Sequence, residues 1–125
     1  MKKIEIQTPA HTAFVNITAQ VQATVAASGI SQGTITAFVP HTTAGITINE
    51  SADPDVRTDL ENILAQAVPW QGRYRHLEGN AAAHAKASLM GSSVQLLVVD
   101  GQLQLGVWQA IYFCEFDGPR SRQVW

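Results

Sequence analysis

The segment Val94-Gln95-Leu96-Leu97-Val98-Val99-Asp100-Gly101-Gln102-Leu103-Gln104-Leu105-Gly106-Val107 decides the fold of this chain. Two apolar runs flank Asp100-Gly101, a dipeptide typical of the type I′ turn that joins hairpin strands. In the second run leucines alternate with glutamines, which predicts a strand with one solvent face. The following run, 108–116, is apolar on both faces and predicts a central strand that is covered on both sides. The last third of the chain is therefore predicted to be antiparallel β-sheet.

Before this hairpin, periodicity and punctuation predict alternating strands and helices. One helix begins at Asp53-Pro54, a cap followed by a proline in the first turn, and it buries a stripe of Val56, Leu60, Ile63, Leu64 and Ala67. We predict a single compact α+β domain over residues 1–125, mostly antiparallel sheet with two to three helices. The predicted strands are 4–8, 33–39, 44–49, 94–99, 102–107 and 108–116, with 120–125 as a short last strand, and the predicted helices are 17–27, 53–68 and 80–90.

The composition excludes several classes of function. A hydrophobic content of 46% is too high for a disordered chain, and a charged content of 14% is low, which indicates a surface covered by copies of the same chain. A net charge of −2 without a basic run excludes a nucleic-acid footprint. No signal peptide and no apolar stretch of membrane-spanning length is recognisable, and Cys114 is the only cysteine. We therefore expect a cytoplasmic protein with no membrane and no nucleic-acid partner.

Histidines and charged residues cluster in Arg75-His76-Leu77-Glu78-Gly79-Asn80-Ala81-Ala82-Ala83-His84, and another histidine follows a predicted strand in Pro40-His41-Thr42-Thr43-Ala44-Gly45. Neutral imidazoles are common metal ligands and proton carriers. Their spacing here matches no diagnostic metal motif, so hydrogen-bonded structural histidines remain the alternative. Glu78, between two of the histidines, could orient one of them or act as an acid or base.

Other polar residues are weaker candidates. Asp53 and Asp55 are explained by helix capping, whereas Asn49 and Glu50 end a strand that follows the His41 motif. Trp108 could stack on an aromatic ring or pack in the core. Arginines hold phosphate oxygens in bidentate fashion, which makes Arg120, placed after the turn Asp117-Gly118-Pro119, a candidate for anion binding.

Several motifs together resemble a known family over essentially the whole chain. They are Pro40 to Glu50, Asp53-Pro54-Asp55-Val56, Arg75 to His84, Leu105-Gly106 with Trp108-Gln109, and Glu115-Phe116-Asp117-Gly118-Pro119-Arg120. In this order they resemble the YjbQ-like family, also called UPF0047 and described as secondary thiamine-phosphate synthases. The resemblance implies a compact α+β fold with a substantial antiparallel sheet, and a homotrimer. It also implies a weak activity that joins a pyrimidine methyl diphosphate to a thiazole phosphate.

These observations lead to a set of predicted roles. His41, His76 and His84 are predicted as ligands of a divalent metal, zinc or magnesium, or of phosphate. Glu78, His76 and His41 are predicted as catalytic. The predicted residues for binding a small phosphorylated substrate are Arg75, Arg120, Asn49, Glu50, Trp108 and Gln109. Two alternatives remain, a non-catalytic metal- or anion-binding oligomer and a metal-dependent hydrolase of a phosphorylated small molecule.

Overall fold

Eight strands and three helices, described for residues 1–125 in a computed structural model, build the chain. The strands are β1 (Ile4–Gln7), β2 (Ala13–Asn16), β3 (Gln32–Phe38), β4 (Ala44–Glu50), β5 (Ser93–Val99), β6 (Gln102–Gln104), β7 (Gln109–Glu115) and β8 (Ser121–Val124), and the helices are α1 (Thr18–Ser28), α2 (Pro54–Ala67) and α3 (Ala81–Met90). The predicted α+β class is thereby confirmed. None of the three helices has both the length and the apolar character needed to cross a bilayer.

Strand β7 occupies the centre of the fold. It pairs with β2 on one side and β4 on the other, while β3-β5-β6 and β1-β8 form two further sheets, all of them antiparallel. Ile111 and Phe113 face one apolar core, and Tyr112 and Cys114 face a second core on the opposite side of the sheet. The prediction of a central strand covered on both sides is thus confirmed.

The hairpin that decides the fold has the predicted turn but a shorter second strand. Asp100 and Gly101 have φ values of 51° and 75°, as a type I′ turn requires. Strand β6 ends at Gln104 rather than at Val107, because the chain turns at Gly106 to enter β7. Gln109 closes this turn, accepting a hydrogen bond from the Gly106 amide at 2.8 Å. The four-residue strand β2 was not predicted, because it is too short to show an alternating pattern.

Helix α2 begins as predicted but packs differently. Asp53 accepts a hydrogen bond from the Asp55 amide at 2.9 Å, which confirms the predicted cap. The predicted buried stripe is wrong, since no residue of α2 is buried and Ile63 is 60% exposed. Only Leu60 and Leu64 contact the second core, because α3 already covers this face of the sheet.

Helix α3 approaches β4 closely because small residues face each other. Ala82, Ala83 and Ala87 of the helix are buried, and a Cβ at Gly45 would lie only 2.8 Å from Met90 Cβ. This close packing brings the N-terminal turn of α3 to the end of the sheet where β4 begins and β7 ends. The histidines of the two sequence motifs meet at that end.

Candidate histidine pocket

A polar cavity of about 420 Å³ lies where β4 begins and β7 ends, and we call it the histidine pocket. No large apolar side chain lines it. A second cavity of about 370 Å³ shares His41, Thr42 and His84 with it, so the two form one cleft along α3. The lining residues of the histidine pocket are Pro40, His41, Thr42, Thr43, His76, Glu78, Asn80, His84, Asp117, Arg120 and Arg122.

One side of the pocket, which we call the β wall, consists of His41, Thr43 and Arg122, together with Glu115 buried behind them. Glu115 is fully buried and is paired with Arg122, whose Nε donates to Glu115 Oε1 at 2.8 Å. Burial by itself would raise the pKa of Glu115, but hydrogen bonds from Arg122 and Thr8 and from the Asp117 amide outweigh it and hold the pKa below its usual value. The carboxylate is therefore charged and held on several sides.

His41 is fixed to the β wall by the backbone of β8. Strand β8 pairs only with β1, and the Gln123 amide donates to His41 Nε2 at 2.8 Å. Burial and the neighbouring Arg122 lower the pKa of His41, although Glu115 opposes this. The ring is therefore neutral near pH 7. Because Nε2 accepts, the proton sits on Nδ1, which makes His41 a hydrogen-bond donor through that nitrogen.

The turn after β7 carries Arg120 to the pocket. Arg120 Nε donates to the Asp117 carbonyl at 2.8 Å, and its Nη2 contacts Asp117 Oδ2 at 3.2 Å. The side chain is still 50% exposed, so part of its guanidinium can contact a ligand. Gly118 is required in this turn, because a Cβ there would come within 2.5 Å of the Ala10 carbonyl oxygen.

The opposite side, which we call the loop wall, consists of His76, Glu78 and the turn that joins them. Gly79 has a φ of 75°, and its amide donates to the His76 carbonyl at 3.2 Å. The side chains are loosely held: His76 Nε2 and Glu78 Oε1 are 3.9 Å apart, with the side chains 44% and 74% exposed. The loop wall therefore points its functional groups into solvent without fixing them.

Helix α3 supplies the floor between the walls. Asn80 and His84 are four residues apart at the start of α3, so they lie on the same helical face, and both line the pocket. The rings of His76 and His84 are 5.2 Å apart between centroids and nearly perpendicular. Two imidazoles of the Arg75–His84 motif, one on the loop wall and one on α3, thus come into contact.

A metal ligand set is only partly assembled. No three histidine, cysteine or carboxylate side chains lie close enough together to hold a metal ion in this conformation. His76 and His84 offer two nitrogen ligands near Glu78, whereas the Nε2 of His41 is occupied by the Gln123 amide. Two imidazoles with a carboxylate nearby are thus the donors available, short of an assembled set of three ligands. The divalent metal stays a prediction.

Several predicted binding residues lie elsewhere. Arg75 is exposed and does not line the pocket. The other four residues lie at the far end of β4, where Glu50 pairs with Gln109. This pair is six residues along the strand from the Ala44–Glu115 pair beside the pocket, a distance of roughly 20 Å. They have structural partners there, and Trp108 is mostly exposed. The residues that the structure keeps apart from the pocket are Arg75, Asn49, Glu50, Trp108 and Gln109.

Among the pocket residues to which no role was assigned from the sequence are Asn80, Asp117 and Arg122. A glutamate inside an apolar strand is a signal for a buried cation partner, and Glu115 with Arg122 is such a pair. Asn80 could have been found from its spacing of four to His84. Cys114 is fully buried, and burial raises the pKa of its thiol.

The fold and the pocket define a class: a small α+β domain with a polar, histidine-lined cleft at one end of its central antiparallel sheet. The profile of the family described as UPF0047 protein YjbQ-like matches residues 2–125, and the chain belongs to that family. The UPF0047 protein YugU of Bacillus subtilis is 48% identical over 123 residues, covering 98% of this chain and 93% of the relative.

Solved structures agree with this assignment. The crystal structure of a YjbQ/UPF0047 family protein of Clostridium acetobutylicum is 51% identical with a TM-score of 0.97, covering 100% of this chain and 97% of that chain. A conserved hypothetical protein of Thermus thermophilus is 45% identical with a TM-score of 0.94, covering 100% of this chain and 97% of that chain.

Proposed function

We propose that the histidine pocket binds a phosphorylated small molecule and that the chain is a transferase with weak thiamine-phosphate synthase activity. In this reaction a pyrimidine methyl diphosphate is joined to a thiazole phosphate. The observation that carries the proposal is the convergence of His41, His76, His84 and Arg120 on one cavity without apolar lining. Such a cavity has a size suited to small ligands and a chemistry suited to anionic ones.

The donors that face the cavity favour phosphate oxygens. His41 can donate through Nδ1, and part of the Arg120 guanidinium is exposed. The imidazole rings of His76 and His84 are in contact with each other. The Arg122 guanidinium already donates hydrogen bonds to Glu115 and Thr43, so it stabilises the β wall and does not contact the ligand. A diphosphate would thus meet donors from both walls and from α3.

The proposed chemistry needs little proton transfer. The lone pair of the thiazole nitrogen forms a bond to the methylene carbon of the pyrimidine, while the bond from that carbon to the diphosphate oxygen breaks and its electron pair leaves with diphosphate. Negative charge grows on the leaving group, and fixed donors such as Arg120 and His41 would stabilise it. Glu78, 3.9 Å from His76, would keep that imidazole oriented or hold its proton. A divalent metal held by His76 and His84 would supply further positive charge.

Turnover with both substrates tests this proposal. We expect thiamine phosphate and diphosphate to form in equal amounts, and the rate to fall at least tenfold in His84→Ala and in Arg120→Ala. The matched controls are His11→Ala and Arg73→Ala, because neither residue lines the pocket. Wild-type turnover that is unchanged in both pocket variants would contradict the proposal.

The same assay separates the alternatives. Phosphate release without a thiazole acceptor would indicate a hydrolase. Binding of diphosphate or metal without turnover would indicate a binding module. Elemental content of the purified protein, compared with His76→Ala, tests the proposed zinc or magnesium independently of activity.

We also propose that the chain forms a homotrimer through the outer face of β3-β5-β6. No charged residue lies on this face, where Leu97 and Val99 are 59% and 40% exposed among threonines and glutamines. Covering such a face removes apolar surface from water. Sedimentation velocity should give a trimer for the wild type and smaller species for Leu97→Lys; a wild-type monomer would contradict this.

A further inference from the structure

The side chain of Asn80 has one polar atom without a partner. Asn80 lines the histidine pocket and is only 8% exposed. Its Nδ2 donates to Asp117 Oδ2 at 2.9 Å, but its Oδ1 is buried and accepts no hydrogen bond from the chain. A buried acceptor without a donor costs free energy, so most such groups in folded proteins have a partner.

The orientation of the Asn80 amide is fixed by its neighbours. An ionised carboxylate only accepts hydrogen bonds, so the amide nitrogen must face Asp117 and the amide oxygen must face away from it. Asp117 is itself held by Arg120 through Oδ2 and by Glu115 through its backbone amide. Rotating the amide would place two acceptors against each other, and Oδ1 therefore stays without a partner.

Helix α3 does not use this oxygen either. Asn80 precedes the first residue of α3, but its side chain makes no capping hydrogen bond. Its backbone carbonyl accepts from the amides of Ala83 and His84 instead, at 3.0 and 3.4 Å. The free acceptor thus lies one helical turn from His84, a residue assigned above to the phosphate.

We infer that Asn80 Oδ1 accepts a hydrogen bond from the ligand itself, and that the ligand is a phosphorylated molecule with a hydroxyl or amino group close to its phosphate. This inference rests on the proposed function. In it, His84 and Arg120 bind the phosphate, and Asn80 accepts a hydrogen bond from the hydroxyl or amino group beside that phosphate. Asn80 is then a specificity-determining residue that discriminates against phosphate esters without a donor.

The test compares two ligands that differ in one hydroxyl, 2-hydroxyethyl phosphate and ethyl phosphate, by titration calorimetry. Wild-type protein should bind the hydroxyl compound about tenfold more tightly, as expected for a buried acceptor that gains its donor. In Asn80→Ala the two ligands should bind within about twofold of each other. The matched control is Asn62→Ala, on the exposed face of α2, which should keep the wild-type preference.

Each other outcome overturns a defined part of the account. Equal affinities of the wild type for both ligands, or a preference that persists in Asn80→Ala, would overturn the inference while phosphate binding stands. Failure of inorganic phosphate and both esters to bind the wild type would overturn the proposed function together with the inference. If Asn80→Ala does not fold, the wild-type side-chain amide resonances of Asn80 decide, because they should shift much more with the hydroxyl compound than with ethyl phosphate.

Discussion

The two walls of the histidine pocket are built on opposite principles. In the β wall, Glu115 and Arg122 are buried and paired, and His41 is held by the backbone of β8. In the loop wall, His76 and Glu78 are largely exposed and barely in contact. Ordering exposed side chains costs conformational entropy, which a ligand offsets when it contacts them. The β wall is thus ordered in advance, whereas the proposed ligand would have to order the loop wall.

The largest stability effect should come from the buried pair. Glu115→Gln leaves the Arg122 guanidinium buried without its counter-charge, which typically costs about 3–5 kcal/mol. Urea unfolding followed by circular dichroism measures the loss. The matched change in the loop wall, Glu78→Gln, should alter the free energy of unfolding by less than about 0.5 kcal/mol, because that side chain is exposed. Similar losses in the two variants would remove the distinction between the walls.

A smaller loss is expected at His41. In His41→Leu the partly buried Gln123 amide loses its acceptor, which should cost about 1 kcal/mol or somewhat more. The same unfolding experiment measures this loss. Its control is His76→Leu in the loop wall, which should stay near the wild-type stability. A full wild-type stability of His41→Leu would mean that water replaces the imidazole.

The free energy of unfolding should depend on pH through His41 of the β wall. Since burial, with Arg122, lowers the pKa of His41 below 6.5, the unfolded chain binds more protons than the folded chain just below that pH. The stability from neutral His41 is therefore complete above pH 6.5 and is lost as the pH falls below it. Thermal unfolding between pH 7.5 and 5 should show this decline in the wild type and a weaker one in His41→Leu.

Glu115 acts in a lower pH range with the same sign. Despite its burial, the hydrogen bonds from Arg122 and Thr8 keep its pKa below 4.5 in the folded protein. Its stabilisation is present above pH 4.5 and disappears as the pH falls through the lowered pKa. A second decline below pH 4.5, absent in Glu115→Gln, is the expected result; an identical acid decline in that variant would assign it to other carboxylates.

The smallest effect on stability, but a large effect on turnover, is expected in the loop wall. His76→Ala should unfold with nearly the wild-type free energy, because its ring is half exposed. Thiamine phosphate formation should fall by about 10²-fold, because this imidazole is proposed to stabilise the charge that grows on the departing diphosphate. Steady-state rates and urea unfolding on the same preparation check both parts. Loss of stability equal to that of His41→Leu would show a structural role instead.

Local patterns predicted much of the fold. Asp100-Gly101 determines the hairpin turn, Asp53 caps α2, and the apolar run of β7 requires cover on both faces. The exposure of α2 could not be predicted. Its apolar stripe competes with the alanines of α3 for one face of the sheet, and the outcome depends on tertiary packing rather than on local sequence. Strand β2 was missed because only its pairing with β7 defines it.

The pocket was predictable in its histidines but not in its supporting groups. Their clustering in two polar motifs singled out His41, His76 and His84, and all three line one cavity. Sequence adjacency was misleading for Asn49 and Glu50, because a strand of seven residues carries them to the far end of the sheet. The roles of Arg122 and Asn80 depend on tertiary contacts with Glu115 and Asp117, and sequence patterns can flag these residues but cannot specify the contacts.

The central claim is that both walls and α3 converge on one phosphate-binding pocket. Titration calorimetry of the wild type, His84→Ala and His11→Ala with diphosphate tests it most directly. The account predicts one site per chain in the wild type and in His11→Ala, and binding at least tenfold weaker in His84→Ala. Undetectable binding by the wild type, or equal binding by all three proteins, would contradict it.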